Sequence, residues 1–551
     1  MKQMTSTPKM ATTPVPLKIV GGNHFGRYSK VSVEETCNMI VSDKGLVPYA
    51  GFAAVLSLVT NGVGRGAYVS IAGGIAIVVA GSSVIQINTD LTYEVVGTLK
   101  TSSGDVFINE NNNYQIAITD YSNIYVYSYG TSPATFSIST TSSPGANQFQ
   151  IPADLTNPGY ITFQNTRLIV PATGKQKWYL SGNNDAAGAS SWSNSGAEIP
   201  AQTGAFQTKS DTILAAVRFP GRGNLLFLFG SVVVESWTDQ GLALFPYAKS
   251  TSFNLDYGCL NASTIADNEE YVVWLSQNEK SGPALSITDG SSIKRISTDG
   301  IDYRLSNLTD PTDCYGFFFR QDGHLIYQFA FPTDNLSYLY DMNTGEFFTV
   351  TDENLNYHPA KKVIFFNNTY YFVSNKDGKF YEFDTSITKY IYSLPTDTTQ
   401  VVREIPRYRI CPPIRLTSQQ SYIAKNLGFT IEQGQPNTIT EQSVPLPFPY
   451  TVLTTEDGKF LTTETGSVLQ TTAFMGTMTN YISSSVVDLS ISRDGGKTFG
   501  NRWRQNMNDQ GEGKSLFIYR RLGRVNDSSC KLDFIGFDRF VVFDGELEMY
   551  Q

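Results

Sequence analysis

Histidine and cysteine are nearly missing from this sequence, and what little there is does not cluster. There are 3 histidines in 551 residues, His24, His324 and His358, none at a metal-ligand spacing such as HxxxH and none with a cysteine nearby. His324 follows Asp322-Gly323, where a solvated residue at a hairpin tip is expected. The 5 cysteines, Cys37, Cys259, Cys314, Cys411 and Cys530, are scattered and form no CxxC pair. This excludes a recognisable zinc knuckle or disulfide framework and fits free thiols in a protein assembled in a reducing cytoplasm. Charged residues make up only 17% and leave a net charge of −9, which argues against a broad basic face for nucleic acid. Long apolar runs are absent too. The nearest approach to one, residues 67–87, is interrupted by Gly73, Gly74, Gly81 and serines, and reads as two strands joined by a turn, not a membrane span. The opening residues MKQMTSTPKMATTPVP have no apolar core, so no secretory signal is expected. Helical periodicity is scarce throughout.

What is abundant points to strands. Aromatic residues reach 13%, with 31 Tyr and 34 Phe beside 46 Gly and 24 Pro. Rings and β-branched side chains pack well on a pleated sheet, while Gly, Pro, Asn and Asp supply the turns. From about 45 to 395 short apolar runs alternate with turns, as in 224–237, 269–277, 316–331, 337–350 and 363–384. Within the last, Asn367-Asn368 and Asp377-Gly378 are turn pairs. Repeated hairpins predict an all-β chain with a β-propeller-like ring of antiparallel hairpins over 45–400, since each small sheet needs a neighbour to cover its faces. A pair of β-sandwiches is the competing layout.

Prolines at 395, 406, 412 and 413 mark a boundary, after which residues 401–551 read as a C-terminal β-sandwich. In VVDLSIS, alternation puts Val487, Leu489 and Ile491 on one face of a half-buried strand. The segment from about 436 to 480, with its echo LTTEDGKF and LTTETGSV, reads as an inserted hairpin or a decorated loop. Residues 1–44 form an N-terminal arm and entry strand, the first 17 of them a mobile arm.

One stretch invites a chemical reading. ISRDGGKTFG (491–500) ends like a phosphate-binding loop at Gly496-Lys497-Thr498, but the leading glycine of GxxxxGK[ST] would fall at Ile491 and no apolar helix follows. Ser492, Asp494, Gly496, Thr498 and Phe499 instead resemble the S-x-D-x-G-x-T-[WF] Asp-box turn of sialidases and other propellers. In such a turn the carboxylate accepts from the following backbone amides, so the resemblance implies geometry, not catalysis. A glycosidase needs two carboxylates across a sugar, and no frame for them is visible. No catalytic, cofactor-binding or metal-binding residue is therefore assigned. Arg520, Arg521 and Arg524 make a basic spot that either anchors a neighbouring subunit or is solvated. Alternation would put Arg520 and Arg521 on opposite faces.

Several segments, in order, resemble the packaged-DNA stabilisation proteins of short-tailed bacteriophages. They are Asn38-Met39 and Gly51, then FGSVVVESW with Phe229, Gly230, Ser231, Glu235 and Trp237, then Gly258, then Ser492 to Gly500, and finally Arg520 to Arg524. The N-terminal arm and the segment 436–480 depart from the pattern. The resemblance implies a tail hub or nozzle, with copies, six by that pattern, forming a ring below the portal and its adaptor. Such a ring extends the DNA channel, retains the packaged genome with weak non-specific contact, and mounts a needle, spike or fibre. It would sit in the virion tail after assembly in the host cytoplasm. Rival readings are a glycan- or receptor-binding propeller using loop aromatics such as Trp178, Trp192 or Trp237, and a sialidase-like glycosidase.

Overall fold

The computed structural model describes residues 12–26, 33–188, 191–192, 203–219, 221–241, 245–268, 270–415, 421–433, 485–507, 514–525, 527–537 and 539–550. The expected insertion at 436–480 lies outside these residues. Strands dominate, and the single α-helix among the described residues is Asp299–Leu305.

Small antiparallel sheets succeed one another around a ring. Six are confined to it, spanning 64–98, 107–150, 162–205, 213–255, 258–295 and 360–403. A seventh, 315–349, takes its place between the last two but does not end there. Neighbouring sheets meet in sequence order, and the ring closes where Ala360–Phe366 lies against Gly64–Ser70. Closure is also staggered along the chain. The early strand Gly51–Ser57 pairs antiparallel with Lys379–Asp384, so an N-terminal strand completes the final sheet. Only glycine fits at Gly51, where a Cβ would stand 2.3 Å from the Ile387 carbonyl oxygen. The all-β propeller expected from the hairpin rhythm is the fold observed. Residues 67–87 belong to three strands, Gly64–Ser70, Ile75–Ala80 and Ser83–Ile87, where two were expected, because the tight turn at Gly81 leaves room for another.

The seventh sheet carries the ring into the C-terminal body. Phe347–Thr349 is followed by Glu35–Cys37, which pairs parallel with it, and then by Arg407–Ile410, Asp527–Ile535, Val486–Ser492 and Arg502–Asn506. A second sheet, including Tyr422–Gln433, Lys514–Val525 and Gly545–Tyr550, packs across it. Leu427, Phe429, Phe517, Leu532 and Phe534 form the shared core of this β-sandwich. Burying each such side chain contributes about 1.5–3 kcal/mol.

Two expectations are corrected here. The described part of the N-terminal arm is a strand, Thr12–Leu17, antiparallel to the C-terminal strand Gly545–Tyr550, and Ile19 N and Val20 N each donate to Asp544 Oδ1 at 2.8 Å. The partner strand lies more than 500 residues away, so local sequence gives no hint of it. Val486–Ser492 is buried along its whole length, not half-buried, because Arg504 covers its polar face with a bidentate pair to Asp488 at 2.8 Å for both contacts.

Asn38 sits where the chain crosses between the two sheets. It holds φ +53°, a conformation Asn tolerates better than most residues. Its side chain donates to Thr351 Oγ1 at 2.9 Å and to Pro406 O at 2.8 Å, and accepts from Thr351 N at 2.8 Å. Arg409 is fully buried and secures the entry segment, donating to Ile19 O (2.8 Å), Gly22 O (2.9 Å) and Glu34 Oε2 (3.1 Å).

Candidate functional site

Each singled-out segment can be asked whether its polar groups are spent inside the chain or left for something else. The turn 492–499 is spent. Asp494 Oδ1 accepts from Ser492 Oγ (2.6 Å), Lys497 N (3.0 Å) and Thr498 N (2.9 Å), and Oδ2 from Thr498 Oγ1 (2.7 Å). These donors hold its carboxyl far below the usual carboxylate range, with the Ser492 hydroxyl the largest cause. Gly495 and Gly496 take φ of +76° and +91°, which is why glycines stand there, and Phe499 is half-buried. Backbone amides that a phosphate would need are already occupied: Lys497 and Thr498 by Asp494, Gly496 by Ser492 Oγ and Gly495 by Asp527 O.

The segment 229–235 is more deeply committed. Asp211 is buried and gathers the tip of the hairpin: Oδ1 accepts from Ser231 N (3.1 Å) and Ser231 Oγ (2.6 Å), Oδ2 from Val232 N (2.9 Å) and Val233 N (3.1 Å). A Cβ on Gly230 would stand 2.2 Å from Asp211 Oδ2. A Cβ on Gly258, where the next sheet begins, would stand 2.3 Å from the Ser231 carbonyl carbon and the Val232 nitrogen. Phe229 packs edge-on against Trp274 at 5.1 Å. Glu235 is buried and accepts from Gln207 N (2.8 Å), Thr208 N, Trp237 Nε1 (3.1 Å) and Lys249 Nζ (3.1 Å). Burial alone would raise its carboxyl, but these donors together hold it below its ordinary value. Asp211 is the residue sequence reasoning missed. Its only local signal was an Asp before a strand, eighteen residues ahead of Phe229.

Arg520 and Arg521 behave differently. The strand Lys514–Val525 pairs with Tyr422–Gln433 through a bulge in which Arg521 takes φ +61°. The extra residue breaks the alternation, so both arginines are exposed and line one shallow concavity with Lys425, Ile423 and Tyr550, in place of the opposite faces expected. Neither arginine side chain makes an ion pair or hydrogen bond among the described residues. Lys425 is bonded to Glu548 at 3.2 Å, and Arg524, also exposed, donates to Ser421 Oγ at 2.8 Å. Ile423 is 43% exposed beside them, and Leu516 is 66% exposed on the same strand.

The remaining candidates are internal. Trp178, Trp192 and Trp237 are buried at 0%, 0% and 3% exposure, so these rings are packing material and not a sugar platform. His324 is not a solvated tip: it is mostly buried, its Nδ1 2.8 Å from Asp341 Oδ2 and its Nε2 3.2 Å from Ser42 Oγ. Asn367 and Asn368 both take positive φ as a tight hairpin requires, whereas Asp377-Gly378 falls in a four-residue loop without it. All five cysteines are buried and unbridged. No group of His, Cys, Asp and Glu that could hold a metal occurs among the described residues, and no described helix is long and apolar enough to cross a membrane.

A family profile described as bacteriophage P22 Gp10, β-propeller, matches residues 35–388. That span contains Asn38, Gly51, Phe229 to Glu235 and Gly258 but not the 492–500 turn or Arg520 to Arg524. Comparison with curated protein sequences gives no match. Among solved structures, a streptogramin B lyase is 10% identical with a TM-score of 0.40, over 61% of this chain and 97% of that one. A catalytically inactive virginiamycin B lyase from Staphylococcus aureus is 11% identical with a TM-score of 0.39, over 61% and 98%. An ancestral GH74 enzyme is 11% identical with a TM-score of 0.38, over 68% and 52%.

Proposed function

The chain belongs to the bacteriophage P22 Gp10 β-propeller family of phage DNA-stabilisation tail proteins, and from that premise we propose that it is a non-catalytic wall element of a tail hub or nozzle. Copies of the chain, six in number, close into a ring below the portal and its adaptor, retain the packaged genome and mount a needle, spike or fibre.

The observation that carries this reading is the shared sheet from Tyr315–Gln321 to Arg502–Asn506, joined between ring and sandwich by the parallel bridge of Cys37 to Thr349. A flexible linker between propeller and sandwich would let each swing, whereas a hydrogen-bonded sheet transmits force from one to the other without a hinge. That suits a part which must withstand the pressure of packed DNA. The subunit contact is assigned to the Arg520-Arg521 concavity, where two unspent guanidinium groups beside exposed Ile423 suit an acidic, partly apolar patch on the neighbouring copy.

DNA runs between copies and not through the propeller. The larger axial cavity holds about 470 Å³, the volume of a cube about 8 Å on edge, while the major groove of a duplex alone is about 12 Å wide. The net charge of −9 favours a channel that duplex slides past. Heads filled with DNA and closed with this chain should keep their genome from nuclease, and heads lacking it should lose it. Equal protection with and without the chain would overturn the reading.

A further inference from the structure

The inner strands of the ring line two adjoining cavities that differ in charge. One chamber, of about 470 Å³, contains Glu110 and Tyr114; the other, of about 350 Å³, contains Arg65, Asp105, Lys361 and Lys362. Tyr68, Asn109, Tyr160, Arg218 and Asp267 line both and so form the waist between them.

Most of these charges are accounted for. Lys361 Nζ lies 2.7 Å from Asp105 Oδ1 and over the Tyr315 ring at 4.0 Å. Arg65 donates to the carbonyl oxygens of Gly81, Thr101, Ser103 and Gly104 and to Thr101 Oγ1, at 2.8 to 3.0 Å. Glu110 accepts from Ser70 Oγ at 3.0 Å and from Tyr129 OH. Three are not. The side chains of Arg218, Lys362 and Asp267 make no hydrogen bond or ion pair among the described residues. Burial lowers the Lys362 ammonium, partly offset by Asp267, and raises the Asp267 carboxyl, partly offset by Lys362 and then Arg218. The smaller chamber thus carries four cations against two carboxylates, inside an acidic protein. Arg218 and Asp267 are exposed to solvent in this cavity and Lys362 is half-buried, so the excess positive charge faces space that a small anion can enter.

We propose that the smaller axial chamber is a binding site for a small oxyanion, a phosphate or carboxylate group held between Arg218 and Lys362. Arg218 offers a planar fork and Lys362 a point charge, the two modes by which such oxygens are gripped. Bound there, the anion ties the sheet 213–255 to the sheet 360–403 across the axis, cementing the ring from inside. The site lies within one chain and stands whether or not copies assemble.

The test is calorimetric titration of inorganic phosphate, and separately of succinate, into the purified full-length chain at constant ionic strength. Saturable binding of about one anion per chain is expected, and phosphate should raise the unfolding temperature beyond a chloride control. Lys362→Met should weaken binding about tenfold or more. Arg218→Met provides the same readout should the first variant not fold; Lys362→Arg should restore binding, and the exposed Lys294→Met should leave it unchanged. No saturable binding by the wild-type chain, or equal binding by the Met variants, would overturn the site.

Discussion

The segments 229–235 and 520–524 were both expected from sequence to carry the likeness to phage stabilisation proteins; only the first lies in the matched span, and the two do opposite work. Around 229–235 every carboxylate is enclosed by donors, and the glycines stand where no side chain fits. At 520–524 a bulge turns two arginines outward with nothing inside the chain to bind. The difference teaches how to read a recurring charged residue. Where its hydrogen bonds close internally it maintains the fold; where they stay open it is available to a partner.

The contrast can be broken most severely at Asp211. Asp211→Ala should strip several hydrogen-bond acceptors from the hairpin tip and cost about 3–5 kcal/mol, read as a lowered midpoint in urea. Less than about 1 kcal/mol would mean the tip does not depend on it. Next comes Asn38→Ala, which removes three hydrogen bonds at the crossing between ring and sandwich. A loss of about 2–3 kcal/mol is expected, together with faster proteolysis near 406 if the two bodies separate. Substituting Arg520 and Arg521 together by Glu should change monomer stability by less than about 0.5 kcal/mol while abolishing self-association at low salt. A large stability loss there would erase the distinction drawn above.

A smaller effect concerns pH. His358 is fully buried among Tyr49, Phe52 and Phe372, and burial first, then the Lys376 charge, pushes it from 6.5 down to about 3. The unfolded chain takes up this proton below about pH 6.5 and the folded chain does not, so the stability it contributes is present above that pH and lost as pH falls toward 3. His358→Gln should flatten the decline in unfolding midpoint between pH 6.5 and 5. An unchanged slope would show that other groups govern it.

Sequence reading went furthest where the physics is local. Hairpin rhythm and the Asn367-Asn368 turn each rest on a few adjacent residues. It failed where structure depends on distant partners. Nothing near Thr12–Leu17 announces that it will pair with Gly545–Tyr550, nor near Glu35–Cys37 that it will bridge Phe347–Thr349 and Arg407–Ile410. The exposure of Arg521 hangs on one inserted residue in a bulge, which alternation cannot foresee. Trp178, Trp192 and Trp237 looked like loop aromatics because the sheets that enclose them come from other parts of the chain. The axial chamber was invisible for the same reason, since its lining residues come from strands spaced tens of residues apart.

The central claim is that propeller and sandwich are one stiff block made to assemble with copies of itself. Its most direct test is the native mass of the purified full-length chain across concentration, alone and with the adaptor ring, followed by imaging of the product. The account predicts a closed ring whose mass is an integral multiple of 60.8 kDa, about six copies, with both bodies in fixed relation in every subunit. A chain that stays monomeric under all these conditions, or whose two bodies adopt variable angles, would contradict it.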